Sequence, residues 1–458
     1  SASTDTLPEP IENVKMRQAI TPLENIRWVN LGYSLIAQGK LAVVIMAGGQ
    51  GTRLGSSAPK GCYDICLPSK KSLFQLQAEK IRRIQQLAAM AYYATKSIRN
   101  KMHVYIMTSP MTHEETRKHF ESSNYFGLDP EQVHFFQQGT MPCLTSEGKL
   151  ILEAPSKIAR SPDGNGGLFT ALLDSGCIDH MKSVGVQCVD VNCVDNALVK
   201  VADPMFNGYC WELSAECGCR TLAKGSPLEK VGVFVKAGTG IAVREYSEMP
   251  TNEMHAITET GRLKYNWSNI CMHHFSVSFM QEIANAMRAS DMYHVAHKKI
   301  PSRDGSVQGI KLEQFIFDHF PLARRVALLE VNRSEEFAPV KNAPNEDKPD
   351  SPETARAAVL KLHKGWIEAA GGVVKISKGS PDGLEVSPLL SYGGEGLDHL
   401  CYRKTFRSAY DVMLQGLAPM HIYKAAAAKS LQSGVDQSTN PFRAVTDLFN
   451  RTISDLIH

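Results

Sequence analysis

Four short apolar, largely β-branched runs mark the first half of the chain, at Leu41 to Ala47, Val104 to Met107, Val133 to Phe136 and Val186 to Val194. Runs this short, rich in apolar residues, predict strands buried on both faces. Between the first two, Phe74, Ala78, Ile81, Ile84 and Ala88 recur at helical spacing, opened by Ser72 with Gln75 three residues on, a capping-box pattern. Strand, helix, strand at this spacing predicts a parallel sheet covered by helices, and the fold class is α/β. Residues 1–40 precede the first strand with mixed helical periodicity and read as a small N-terminal helical segment. Near Lys341 the chain turns loop-like, with Pro344, Pro349 and Pro352 among charges. Ser351-Pro352-Glu353 then predicts an N-cap, an N1 proline and a first-turn acid. The helix that follows has the expected stripe Ala355, Val359, Leu362, Trp366 and Ala369, with Gly371-Gly372 as its end. The expected division is a central domain over 41–381 and a small C-terminal domain over 382–458, whose tail carries Ala425 to Ala428 and several helical stretches.

Composition narrows the class of protein without naming its chemistry. At 458 residues, 43% apolar and 21% charged, the chain has the makeup of a folded globular protein of two or three domains. Fifty Lys and Arg stand against forty-seven Asp and Glu, too even a balance for a general binder of nucleic acid or acidic lipid. Any anion site must therefore be local. The longest apolar run, Leu87 to Ala94, falls far short of the roughly 20 residues of a membrane helix, so no membrane partner is expected. The first twenty residues lack the basic start and apolar stretch of a signal peptide. Eleven cysteines without a C-x-x-C pair read as reduced thiols, and the expected setting is cytoplasmic. His273-His274 lack the nearby partners of a closed metal site and read as a core or surface pair.

The first strand carries the sharpest motif. It runs directly into Gly48-Gly49-Gln50-Gly51-Thr52-Arg53-Leu54-Gly55, followed by Pro59-Lys60-Gly61. A glycine-rich turn leaving a strand lets backbone N–H groups approach phosphates that a Cβ would hold away, and Arg53 and Lys60 add positive charge to such a cradle. The plain alternative is a tight turn that uses its glycines only for geometry. A Walker A loop is excluded, because Gly39-Lys40 and Gly148-Lys149 are each followed by leucine. The dinucleotide fingerprint is disfavoured because Leu54 stands where its third glycine belongs.

G-G-x-G-T-R-L-G followed by P-K-G resembles the signature of the sugar-nucleotide uridylyltransferases, and the wider likeness is to the eukaryotic UDP-N-acetylglucosamine pyrophosphorylases. Further segments fit in order: Tyr105 to Ser109, Phe135 to Gly139, Pro162 to Gly167, Cys193 to Asn196, Val231 to Val233, Glu245 to Glu248, Asn269-Ile270, Lys341 to Ala343 and Glu385 to Pro388. Agreement spans roughly residues 40 to 397. The resemblance implies a Rossmann-like nucleotide-diphospho-sugar transferase core with a mainly parallel sheet between small terminal domains. It also implies a Mg²⁺-assisted reaction in which a sugar 1-phosphate oxygen attacks the α-phosphorus of UTP in line and pyrophosphate leaves. Such transfers depend on positioning and charge neutralisation and need no nucleophilic side chain.

By the same resemblance Met46, Ala47, Gly48 and Gly49 would line the nucleotide, with Arg53 and Lys60 as the catalytic cations. Gln138 and Gly164 match uracil-contacting positions. Asp195, at the carboxyl end of a strand, would hold Mg²⁺, where residues alone would read an ordinary helix N-cap. Asn165, Gly232, Glu245 and Asn269 resemble sugar-contacting positions, and Lys341 resembles a lysine that reaches the sugar-nucleotide phosphates. The implied partners are UTP and an N-acetylhexosamine 1-phosphate, with the protein a monomer or homodimer. Met46 stands where the family usually has leucine, and the chain after Leu397 does not resemble the usual ending. Two rival readings stay open: a UDP-glucose or broad UDP-sugar pyrophosphorylase, and a catalytically silent nucleotide-sugar binder.

Overall fold

The computed structural model describes residues 7–56, 58–92, 101–238, 240–289, 292–303, 305–345, 348–375 and 383–407. The tail with Ala425 to Ala428, and with it most of the expected C-terminal domain, lies outside the described residues. Four strands supply the half of the central sheet that positions the site: β1 (Leu41–Met46), β2 (Val104–Thr108), β3 (Val133–Gln137) and β4 (Cys188–Cys193). They are parallel in the order β4-β1-β2-β3. All six side chains of β1 are buried. Leu41, Val43 and Ile45 enter one hydrophobic cluster and Ala42, Val44 and Met46 another, because successive side chains of a strand point to opposite faces. The unbroken apolar run thus reflects a sheet covered on both sides.

Five further strands complete a nine-stranded sheet: β5 (Cys217–Ala223), β6 (Val233–Ala237), β7 (Gly240–Arg244), β8 (Trp267–Ser276) and β9 (Val326–Glu330). Here β8 runs antiparallel to β4, β5 and β6, while β9 lies parallel to β5. The antiparallel β8 brings its first residues to the edge where the parallel strands end, and a register break between Asn269 and His273 opens the pairing there.

Three longer helices cover the sheet: α1 (Pro22–Ala37), α2 (Leu73–Tyr92) and α5 (Pro352–Ala369). The shorter helices between them in the chain include α3 (Cys177–Ser183) and α4 (Pro204–Glu212). The N-terminal segment is fused to the core. Gly32 of α1 and Gly208 of α4 let the two helices touch backbone to backbone, since a Cβ on Gly208 would lie 1.8 Å from the Trp28 carbonyl oxygen. Ser72 caps α2 by accepting from the Gln75 N–H at 3.2 Å, but the Gln75 side chain turns to Glu79, so the expected box is only half formed. Helix α5 has its full capping box at Ser351 and is followed by Gly371 at φ +79°. Its buried residues include Ala355, Val359, His363 and Ile367, the expected Leu362 and Trp366 are half-buried and pack against hydrophobic clusters, and Ala369, expected in the stripe, is exposed. His363 turns inward because its Nδ1 accepts the Val386 N–H at 3.1 Å, a contact that apolar periodicity does not register. No helix among the described residues is long and apolar enough to cross a membrane.

Candidate active site at the carboxyl edge of the sheet

Met46 ends β1, and Ala47 donates its N–H to the Met107 carbonyl, which aims the glycine loop off the carboxyl edge between β2 and β4. The loop folds back on itself. Gly51 N–H donates to Ala58 O at 3.0 Å and Lys60 N–H to Gly49 O at 3.2 Å, with Gln50 bridging Pro59. Gly61 is demanded by packing, since a Cβ there would lie 2.1 Å from the Phe74 ring. Gly49 has open space above it, as a ligand-facing backbone position requires. Arg53 sits exposed on the short 3-10 turn Thr52–Leu54.

Lys60 and Asp195, 135 residues apart, meet at the centre, with Nζ donating to Oδ2 at 2.9 Å. Their side chains are only 18% and 16% exposed, so the pair is shielded from bulk water and electrostatically strong. Asp195 follows β4 in a turn and not a helix, and its own carbonyl accepts the Val340 N–H at 2.9 Å. The helix-cap alternative for this aspartate is thereby removed.

On the opposite side of the loop stands Gln138, whose N–H donates to Thr108 O at the end of β2. Its amide oxygen lies 2.1 Å from where a Cβ on Gly48 would be. Its Nε2 donates at long range, 3.4 Å to Asp163 Oδ1 and 3.5 Å to Gly164 O. Gly164 adopts φ +93°, and a Cβ there would strike Gln314 O at 2.3 Å. Asp163 is buried between Gly139 and Gly167, and burial pushes its carboxyl up to about 6.

The remaining candidates assemble around the first residues of β8. Asn269 donates its N–H to Gly232 O at 2.8 Å, and its side-chain oxygen accepts the Cys271 N–H at 3.1 Å. A Cβ on Gly232 would lie 2.8 Å from Glu245 Oε1. Burial, aided by the nearby Glu248, raises the Glu245 carboxyl. Asn165 accepts from the Ile316 N–H at 3.0 Å and donates to Cys271 Sγ at 3.4 Å, leaving one N–H and one lone pair for a ligand. Lys341 is exposed in the connection to α5, with its N–H on Asp350 O at 2.8 Å, and its charge reaches Cys193 and Cys271.

Every candidate read from the sequence therefore lies on one edge. Chains of direct contact tie Gly49 to Lys60 and Asp195, Gly48 to Gln138 and Gly164, and Asn165 through Cys271 to Asn269, Gly232 and Glu245. The exposed Arg53 and Lys341, and the carboxylate of Glu245, make no side-chain hydrogen bonds among the described residues. Sequence reasoning missed Asp163, Cys193 and Cys271. The Pro-Asp-Gly turn was a usable signal for Asp163. Cys193 and Cys271 carried none, since their proximity, and the positive φ of 57° at Cys271, arise only when β4 and β8 are paired.

A profile of the UTP–glucose-1-phosphate uridylyltransferase family matches residues 6–364. The chain belongs to this family. It is 49% identical over 412 residues to UDP-N-acetylglucosamine diphosphorylase 2 of Arabidopsis thaliana, covering 89% of this chain and 82% of that one. It is 43% identical over 389 residues to UDP-N-acetylglucosamine pyrophosphorylase of Saccharomyces cerevisiae, covering 82% and 78%. Among solved structures, the uridine diphosphate N-acetylglucosamine pyrophosphorylase of Trypanosoma brucei in complex with inhibitor superposes with a TM-score of 0.78 at 35% identity, over 86% of this chain and 83% of that one. The expected α/β class and central sheet agree with that match.

Proposed function

We propose that this uridylyltransferase makes UDP-N-acetylglucosamine and pyrophosphate from UTP and N-acetylglucosamine 1-phosphate. The observation that carries the reading is the identity of nearly half the residues, over 89% of the chain, to a relative named for this product. The geometry is compatible with an in-line transfer. Backbone N–H groups of Gly48 and Gly49 receive the phosphates, and Gln138, oriented by its long hydrogen bonds to Asp163 and Gly164, presents its amide to the imide edge of uracil. Lys60 and Arg53 neutralise charge that builds on the leaving pyrophosphate. Glu245, Asn269 and Asn165 supply acceptors and donors for sugar hydroxyls and an acetamide. Lys341 reaches the sugar phosphate from the rim.

The donor set at Asp195 fits Mg²⁺. Lys60 engages Oδ2 and leaves Oδ1 for a hard cation that takes one or two carboxylates and completes its shell with phosphate oxygens and water. Bound there, Mg²⁺ would supply further neutralisation of phosphate charge. Free thiols at all eleven cysteines accord with a cytoplasmic setting.

The test is pyrophosphate release from UTP and Mg²⁺ with N-acetylglucosamine 1-phosphate, N-acetylgalactosamine 1-phosphate or glucose 1-phosphate in parallel, beside an EDTA control. Preference for the N-acetylated sugars, lost with EDTA, is expected. Glucose preference would transfer the reading to a UDP-glucose enzyme, and UTP binding without release would mean a silent binder. In the same assay Lys60→Met should lower kcat by about 10²–10³.

A further inference from the structure

At the far end of β2 from the glycine loop, three imidazoles converge. His103 directly precedes β2, His134 is the second residue of the edge strand β3, and His180 lies in α3. One potential ligand atom from each lies within 4.8 Å of the other two. His103 Nδ1 and His134 Nε2 are 3.0 Å apart, and the His134 and His180 ring centres are 4.4 Å apart. Such crowding is unfavourable for protonated imidazoles.

Two features point beyond a packed histidine cluster. The Tyr105 hydroxyl is 2.8 Å from His180 Nδ1, the outer hydrogen bond that orients a metal-bound imidazole and leaves Nε2 as its ligand atom. The Tyr105 ring also stacks on His134, with centres 4.9 Å apart and planes 25° from parallel, which fixes a second ring. We propose that His103, His134 and His180 bind a borderline transition-metal ion of the zinc type, clamping the edge strand β3 to α3. Three nitrogen ligands with a fourth position for water suit Zn²⁺ and its neighbours, and exclude the hard, oxygen-seeking Mg²⁺. Zn–N bonds of about 2.0–2.1 Å require ligand nitrogens roughly 3.3 Å apart, so modest ring rotation closes the site. All three side chains are half-buried, which leaves a route for the ion from solvent. The site is separate from Asp195 in both position and ligand chemistry.

The experiment titrates the metal-free full chain with Co²⁺, then displaces it with Zn²⁺, in wild type and in His134→Gln and His180→Gln variants. One Co²⁺ per chain is expected, with tetrahedral visible absorption, no near-ultraviolet thiolate band from the cysteines, and a raised melting temperature. Either variant should weaken metal binding at least tenfold and lose the thermal shift, while uridylyl transfer with Mg²⁺ stays at the wild-type rate. His180→Gln, on a short surface helix, keeps the test available if His134→Gln fails to fold. Equal cobalt affinity in wild type and variant, a thiolate-type spectrum, or no uptake from micromolar metal would overturn the proposal.

Discussion

Gly48 shows how much one missing methyl group decides. A Cβ there would overlap the Gln138 amide oxygen, and because that amide is the mobile end of a flexible side chain, the glutamine would move while the backbone stayed. Gly48→Ala should therefore raise the KM for UTP by roughly tenfold, about 1.4 kcal/mol of binding, while the melting temperature stays nearly constant. Steady-state kinetics beside a thermal scan separates the two effects. Asp163 makes a pH prediction. Its carboxyl is lifted from 3.8 to about 6 by burial, so between about pH 4 and 6 the native state keeps a proton that the unfolded chain has lost. The buried anion thus costs stability above pH 6, and that cost fades as pH falls towards 4. Protonation also removes the anionic acceptor facing Gln138. The KM for UTP should rise severalfold as pH drops through about 6, and Asp163→Asn should show the raised KM at pH 8 with no step near 6. A step that survives in the variant would assign it to another group. The glycines were legible in the sequence as a motif. The perturbed carboxyl was not, because desolvation is a property of the surroundings and not of the residue.

Among the elements, the strands of the parallel half and helix α5 were legible because their signals are local. An apolar run buried on both faces reads the same whatever its neighbours, and Ser351-Pro352 carries the start of α5 in two residues. Ser351 is fully buried, accepts the Thr354 N–H at 3.2 Å and also contacts the Thr354 hydroxyl, so no water can replace it. Ser351→Ala should destabilise the protein by about 1–2 kcal/mol, seen as a lowered melting temperature, and Ser351→Thr should recover part of that loss. The packed face of α5 was legible apart from Ala369, which is exposed, and His363, which is buried. His363 is polar by type yet buried, its Nδ1 accepting the Val386 N–H, so apolar periodicity passes over it. The mixed half of the sheet was illegible for a related reason: β5 and β8 carry Arg220, Thr221, Asn269, His273 and His274 within their runs, and these polar residues break the apolar pattern that marks a buried strand.

At the scale of the whole molecule, Arg220 lies in the core between two carboxylates, 3.0 Å from Asp190 and 3.3 Å from Glu336, with all three side chains fully buried. The triad joins β5, β4 and the turn Arg333–Glu336, and so ties the two halves of the sheet beneath the site. Glu336→Gln removes one charge and leaves the guanidinium partly unpaired, which should cost about 3–5 kcal/mol of stability in thermal or urea unfolding. An unchanged midpoint would show that Asp190 alone suffices. The chain's own order of residues determined the α/β class, the glycine loop leaving β1, and the identity of the polar groups available for nucleotide and sugar, because each of these rests on neighbours within a few positions. Only the tertiary structure decided that Lys60 meets Asp195, that Asn165 and Asn269 share Cys271, that Asp163 keeps its proton towards neutrality and that three histidines from separate elements converge. These depend on contacts between distant segments and on the exclusion of water, and neither is encoded at any single position.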